Sequence, residues 1–207
     1  GLYFASLDIR QDSGVHTKFF ESLAQQKILP ENYTAFDENK KIDALLQLHK
    51  TEVSFGDNAL FADTLKSVEA VKTIQHQNGK KACHRYVISH CESALHVMEV
   101  YGLFLLGGWK KEHLTVDIVP LFETIDDLAH AAFIMKKLYT NKAYKQHLKL
   151  RNNTQTIMLG FSDGTKDGGY LMANWSIYKA KEELTAVSKN YGIDVILAPA
   201  LNIHRNP

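Results

Sequence analysis

The 207-residue chain is 45% apolar and carries 24 Lys plus Arg against 23 Asp plus Glu. A core can therefore form and disorder is excluded, while the cancelled charge supplies no field to hold nucleic acid or an anionic membrane non-specifically. No window offers the roughly 18 uninterrupted apolar residues of a membrane span, and the longest greasy stretch, Val97 to Trp109, carries Glu99 and Gly102, so a soluble chain is expected.

The chain opens at Gly1 and runs into strand-like sequence without a basic n-region or a small-residue cleavage site, which reads as a cut inside a longer protein. Predicted strands, each short and rich in Val, Ile, Leu or Phe, cover Tyr3 to Ile9, Arg85 to Ser89, Thr115 to Phe122, Thr156 to Phe161 and Asp194 to Ala198. All five read as buried on both faces. Amphipathic patterns between them predict helices over Val15 to Gln26, Glu38 to His49, Ala59 to Gln77, Ser93 to Leu106, Ile125 to Tyr139, Lys142 to Leu150 and Tyr170 to Tyr191. Thr124 is placed to cap the helix that Asp126 and Asp127 begin, and Gly192 follows Tyr191 where a C-terminal glycine belongs.

Strand and helix alternating, with near-continuous apolar strands, predict a parallel sheet. The last four strands end at intervals of about 33 to 39 residues, the size of right-handed βαβ units, whereas the first gap is longer and holds three helical patterns. The fold class expected is α/β: part of a TIM-type β/α barrel, about five parallel strands with helical insertions. An eight-stranded barrel needs about 250 residues, so this sheet is not expected to close by itself.

In such folds chemistry gathers at the C-terminal ends of the strands. The polar residues found there are Asp8, Arg10 and Asp12 where the first strand ends, His90 and Glu92 after the second, Glu123 after the third, and Asp163, Lys166 and Asp167 after the fourth. Glu123 and Asp163 on neighbouring strand ends are what a hard divalent cation such as Mg²⁺ or Mn²⁺ requires, few protein oxygens with the other positions left to water or substrate. Arg10 and Lys166 suit a phosphate or carboxylate ligand. Each has a plainer reading: a capping or solvated carboxylate, and an Arg10 paired with Asp8 or Asp12. The glycine-rich segment from 160 to 169 resembles a phosphate-cradling loop but lacks the spacing of either phosphate-binding glycine motif. Cys83-His84 and His90-Cys91 lie at opposite ends of a strand, about 20 Å apart, which favours buried thiols over zinc. His16, His49, His76, His113, His130 and His147 read as solvated.

The strings Leu7-Asp-Ile-Arg-Gln-Asp-Ser13, Arg85-Tyr-Val-Ile-Ser89, Val119-Pro-Leu-Phe-Glu-Thr124 and Leu159-Gly-Phe-Ser-Asp-Gly-Thr-Lys-Asp-Gly-Gly169, followed by the helix Tyr170 to Leu184, resemble in order the bacterial-type phosphoenolpyruvate carboxylases. The resemblance covers about residues 1 to 194. It implies a piece of a longer cytoplasmic enzyme, usually a homotetramer, that converts phosphoenolpyruvate and bicarbonate to oxaloacetate and phosphate with Mg²⁺ or Mn²⁺. By motif it implies that Glu123 and Asp163 are the metal carboxylates, that Lys166 serves bicarbonate use, and that Arg10 holds the substrate phosphate.

Two departures are visible. The family's catalytic histidine lies upstream of the LDIRQ string, outside this chain, and none of His16, His84 and His90 replaces it. Where the family continues into a Gly-Arg-Gly-Gly type loop, this chain ends in Asp194-Val-Ile-Leu-Ala-Pro-Ala-Leu-Asn-Ile-His-Arg-Asn-Pro207, which resembles a segment of family 3 glycoside hydrolases. The expected division is thus a partial carboxylase barrel over 1 to 194 and a non-matching tail over 195 to 207. A sugar hydrolase using Glu123 and Asp163 as acid and base is the competing reading, and an inert truncated barrel the third. The isolated chain is expected to be inactive and prone to association through its exposed sheet edges.

Overall fold

The computed structural model describes residues 6–160 and 162–200, with the side chains of residues 162–168 left out of the description. Five strands, β1 (Leu7–Asp12), β2 (Cys83–Ser89), β3 (Asp117–Phe122), β4 (Thr154–Leu159) and β5 (Asp194–Pro199), form one all-parallel sheet in the order in which they occur in the chain. Such an order requires a crossover after every strand. The crossovers are α1 (Ser13–Gln25), α2 (Glu38–Leu45) and α3 (Ala59–Asn78) before β2, α4 (Ala94–Leu106) before β3, α5 (Ile125–Thr140) and α6 (Lys142–Leu150) before β4, and α7 (Ser162–Asn190) before β5. Among the described residues β1 and β5 each pair on one side only, so the arc is a partial β/α barrel that does not close.

The two faces of the arc are unlike. Tyr86, Ile88, Ile118, Phe122, Ile157 and Leu159 pack outward against Phe19, Phe20, Phe104, Leu128, Met135 and Leu184 of the helices. The concave face holds a smaller apolar cluster of Val87, Val119, Leu121 and Met158. Period-two alternation places alternate residues of one strand in these separate clusters, which is why β3 and β4 read as continuous apolar runs. The expectation that every strand is buried on both faces fails for β1 and β5, where Leu7 and Ile196 are exposed. The reason is the open arc: an edge strand has neither a lateral neighbour nor an opposite wall of strands to cover its inner face.

Local signals behave as their chemistry requires. Thr124 caps α5 in a reciprocal capping box with Asp127, and Gly192 takes a positive φ of 67° after α7. Helix α7 begins at Ser162, not at Tyr170, with a break at Gly169, whose φ of 77° and ψ of 168° are open to glycine and costly for other residues. From Ser162 up to that break the glycine-rich segment read as a loop is therefore helical backbone.

His16 and His147, expected to be solvated, are buried. His16 lies against β2 with Nε2 at 2.8 Å from the Tyr86 hydroxyl, and burial drives its pKa down to about 3. His147 meets the Tyr101 ring edge-on and the Tyr144 ring at a tilt. On a helix a polar ring is tolerated inside when one nitrogen finds a partner, and the helical pattern alone does not say which face is covered.

Glu99, in the middle of apolar α4, is 1% exposed and accepts a hydrogen bond from the Thr17 hydroxyl at 3.0 Å. Burial raises its pKa to about 8. An acid whose folded pKa lies above its unfolded value stabilises the fold fully at pH below the unfolded value, near 4.5, and the contribution is lost as pH rises through about 8. Glu99→Gln keeps the acceptor for Thr17 and cannot ionise. Thermal melts should therefore coincide for the two chains at pH 4 and separate at pH 9, the variant melting roughly 5 °C or more higher. Coincident melts at pH 9 would show that Glu99 is not held neutral.

Candidate functional site

Every parallel strand of the arc ends at the same rim, and the register decides which residues meet there. Ile9 packs on the outer core and Gln11 reaches Thr64 on α3, so Arg10, between them, lies on the concave face beside Val87 of β2. Val87 is in turn beside Val119. Glu123 follows four residues after Val119 on the same side of β3, so its Cα stands on the order of 15 Å from that of Arg10, two strands across and four residues up. Arg10 is exposed and forms no ion pair among the described residues. The alternative pairing with Asp8 or Asp12 does not occur: Asp8 meets Arg85 at 3.1 Å, and Asp12 binds His90.

Glu123 occupies the end of β3, its side chain 12% exposed. Its backbone N–H donates to Asp127 at 3.2 Å, joining the strand end to the capping box of α5. One carboxylate oxygen, Oε2, accepts from the backbone N–H of His90 at 3.3 Å and lies 3.9 Å from His90 Nε2. On the other flank is Gly160, whose N–H donates to the Phe122 carbonyl at 2.7 Å. A Cβ on Gly160 would stand 3.1 Å from the Glu123 Cα and 3.2 Å from its Cγ. Glycine here permits a close approach of two strand ends that a side chain would crowd, and its φ is not in the left-handed region.

The rim also carries a contact that the sequence did not single out as a unit. His90 Nδ1 is 2.5 Å from Asp12 Oδ2, while the other oxygen of Asp12 caps α1 by accepting from the Gly14 N–H at 2.8 Å. The hydrogen bond that His90 donates to Asp12, followed by the nearby Glu123 charge and against partial burial, raises the His90 pKa. Partial burial pushes the Asp12 carboxyl up, but the His90 and Gly14 hydrogen bonds outweigh it and hold the group below its ordinary range. Each residue has an unremarkable local reading, an N-cap and a loop histidine, and only the β1–β2 pairing brings them together.

Asp163 and Lys166 follow β4, on the helical backbone that starts at Ser162, and their side chains lie outside the described residues. Among the described residues no cluster of three or more His, Cys, Asp or Glu is arranged to hold a metal. Cys83 and Cys91 are buried free thiols at opposite ends of β2, as expected.

Comparison with known proteins decides the ancestry of this rim. A profile described as phosphoenolpyruvate carboxylase matches residues 1–198. The chain belongs to the phosphoenolpyruvate carboxylase family. It is 35% identical over 206 aligned residues to a phosphoenolpyruvate carboxylase of Nitrosomonas europaea, an alignment that includes 93% of this chain and 22% of that protein. The chain thus spans about a fifth of the length of this curated relative. With family membership shown over 198 residues, the glycoside hydrolase reading is left with the tail alone, most of which lies outside the described residues.

The Gly160 contact yields a direct test of how this rim is built. Gly160→Ala should cost about 1–3 kcal/mol in urea unfolding, because the Glu123 backbone must move to admit the methyl group. An unchanged midpoint and slope would show that β3 and β4 do not approach this closely.

Proposed function

We propose that the rim of this chain is part of a site that carboxylates phosphoenolpyruvate with bicarbonate, and that Glu123 supplies one of its cation-binding carboxylates. The observation that carries this reading is the position of Glu123: a mostly buried hard-oxygen donor at a parallel strand end, packed against Gly160 and oriented by a backbone N–H. Such a donor fits Mg²⁺ or Mn²⁺, which take few protein oxygens and keep positions for water and substrate. Asp163, by motif, would be the second carboxylate. When bound, the divalent cation supplies Lewis-acid stabilisation where negative charge develops on the enolate oxygen.

The remaining work falls to the chain's own side chains. Arg10, on the concave face with no acidic partner among the described residues, offers a rigid fork of donors to the phosphoryl group. Lys166, by motif, would favour bicarbonate beside it, so that two anions are held close enough for oxygen to attack phosphorus. The apolar floor of Val87, Val119, Leu121 and Met158 lowers the local dielectric and strengthens these charge contacts.

Family membership supports a homotetrameric cytoplasmic assembly for the long proteins of this kind, with the segment 195–207 proposed as a tail distinct from the carboxylase part.

Binding of Mn²⁺, followed by electron paramagnetic resonance, tests the metal assignment independently of turnover. Both Glu123→Gln and Asp163→Asn should weaken Mn²⁺ binding at least tenfold. Equal affinity in the wild type and both variants, or no Mn²⁺ binding at all, would overturn it.

A further inference from the structure

The turn between β2 and α4 is tied to the neighbouring β1–α1 corner and to β3, and most of its bonds are made by His90. Its φ of 49° is left-handed, a conformation disfavoured for a residue with a Cβ. Three bonds hold the turn there. The Ser13 hydroxyl donates to the His90 carbonyl at 2.7 Å, Asp12 Oδ2 binds His90 Nδ1, and the Cys91 N–H reaches the Leu121 carbonyl on β3 at 3.4 Å. The conformation they enforce directs the His90 backbone N–H at Glu123 Oε2. The side chain of His90 is 60% exposed, so burial does not account for the arrangement.

We propose that His90 is a positioning residue for Glu123: the Asp12–Ser13 corner of β1 and α1 clamps the His90 turn, and the clamped backbone N–H orients the carboxylate for a divalent cation. The assignment rests on the reading of Glu123 as a cation ligand. A glutamate has three side-chain torsions, and a ligand that must be ordered at the moment of binding loses affinity to that ordering. The hydrogen bond to Oε2 removes part of this freedom beforehand, and partners that orient metal-binding carboxylates typically govern affinity by 10- to 100-fold. The chain connects the β1 rim to the β3 rim through β2 by this route, so that a residue without contact to Glu123, Ser13, acts on it through the turn.

The experiment compares His90→Ala with His90→Asn in the full 207-residue chain, reading Mn²⁺ affinity by electron paramagnetic resonance and folding by circular dichroism melts. Both substitutions delete the imidazole and its charge, so their difference isolates geometry. Asparagine tolerates the left-handed conformation and its carboxamide can donate to Asp12; alanine can do neither. The expected result is a loss of about tenfold for His90→Ala, a value within about threefold of wild type for His90→Asn, an intermediate loss for Ser13→Ala, and no further loss when His90→Ala is added to Glu123→Gln. Alanine and asparagine variants of equal affinity would overturn the proposal, as would a lowered melting temperature of His90→Ala with wild-type Mn²⁺ affinity. If Glu123→Gln itself binds Mn²⁺ like wild type, the cation reading fails and the positioning role fails with it; if only the His90 effect is missing, the cation reading stands.

Discussion

The close approach of β3 and β4 at their C-terminal ends is the constraint on which the site depends. Their ladder is short, Leu121 beside Met158 and Phe122 beside Leu159, and Gly160 follows directly. Without a side chain at 160 the two strand ends close to within contact of Glu123, whose carboxylate is thereby held inside the rim with little exposure. Pro120 marks the change of partner: β3 pairs with β2 up to Pro120 and with β4 beyond it. A proline gives up one ladder bond, and here it stands where one ladder ends and the next begins.

Around this junction the fold divides its labour between two faces. The outer face carries nearly all the apolar burial, including Phe19, Phe20, Tyr86, Phe104 and Phe122, each contributing roughly 1.5–3 kcal/mol. The concave face carries only the small cluster of Val87, Val119, Leu121 and Met158, with the exposed Arg10 beside it. Charges buried in the outer layer are those that can be neutral: His16 is held well below neutrality in its pKa, and Glu99 above it, both chiefly by burial. Charges nearer solvent are instead paired or solvated, Asp12 with His90 on the rim and Arg85 with Asp8 towards the strand starts. The difference follows from access to water, since an unpaired ion is costly in the outer layer and inexpensive at the mouth.

Much of the architecture was legible in the residues because the signals were local. The helix over Lys142–Leu150 has the predicted bounds, Thr124 caps α5 as its spacing with Asp127 requires, and the five strands fall within a few residues of their predicted positions. Errors arose where neighbours in space, not in sequence, set the outcome. The edge strands β1 and β5 carry apolar residues, yet expose Leu7 and Ile196 because among the described residues no strand pairs with their outer edges. His16 and His147 sit on amphipathic helices whose covered faces are wider than the apolar pattern suggests. The start of α7 was missed because four glycines in the segment from 160 to 169 argue for a loop by propensity, and propensity is a weak prior beside tertiary packing.

For the site the same division holds. Motif and strand-end logic singled out Arg10 and Glu123 for one side of the sheet, because period-two alternation and a shared strand direction are properties of the chain itself; the structure sets Arg10 within β1 beside Val87, below the rim that Glu123 occupies. Family membership was likewise written in the order of its strings. Only the folded chain decided that Asp12 faces His90 instead of Arg10, that His90 takes a left-handed turn, and that its N–H meets Glu123. Those contacts join residues 33 to 78 positions apart, and their distances are set by inter-strand register, which no single segment encodes.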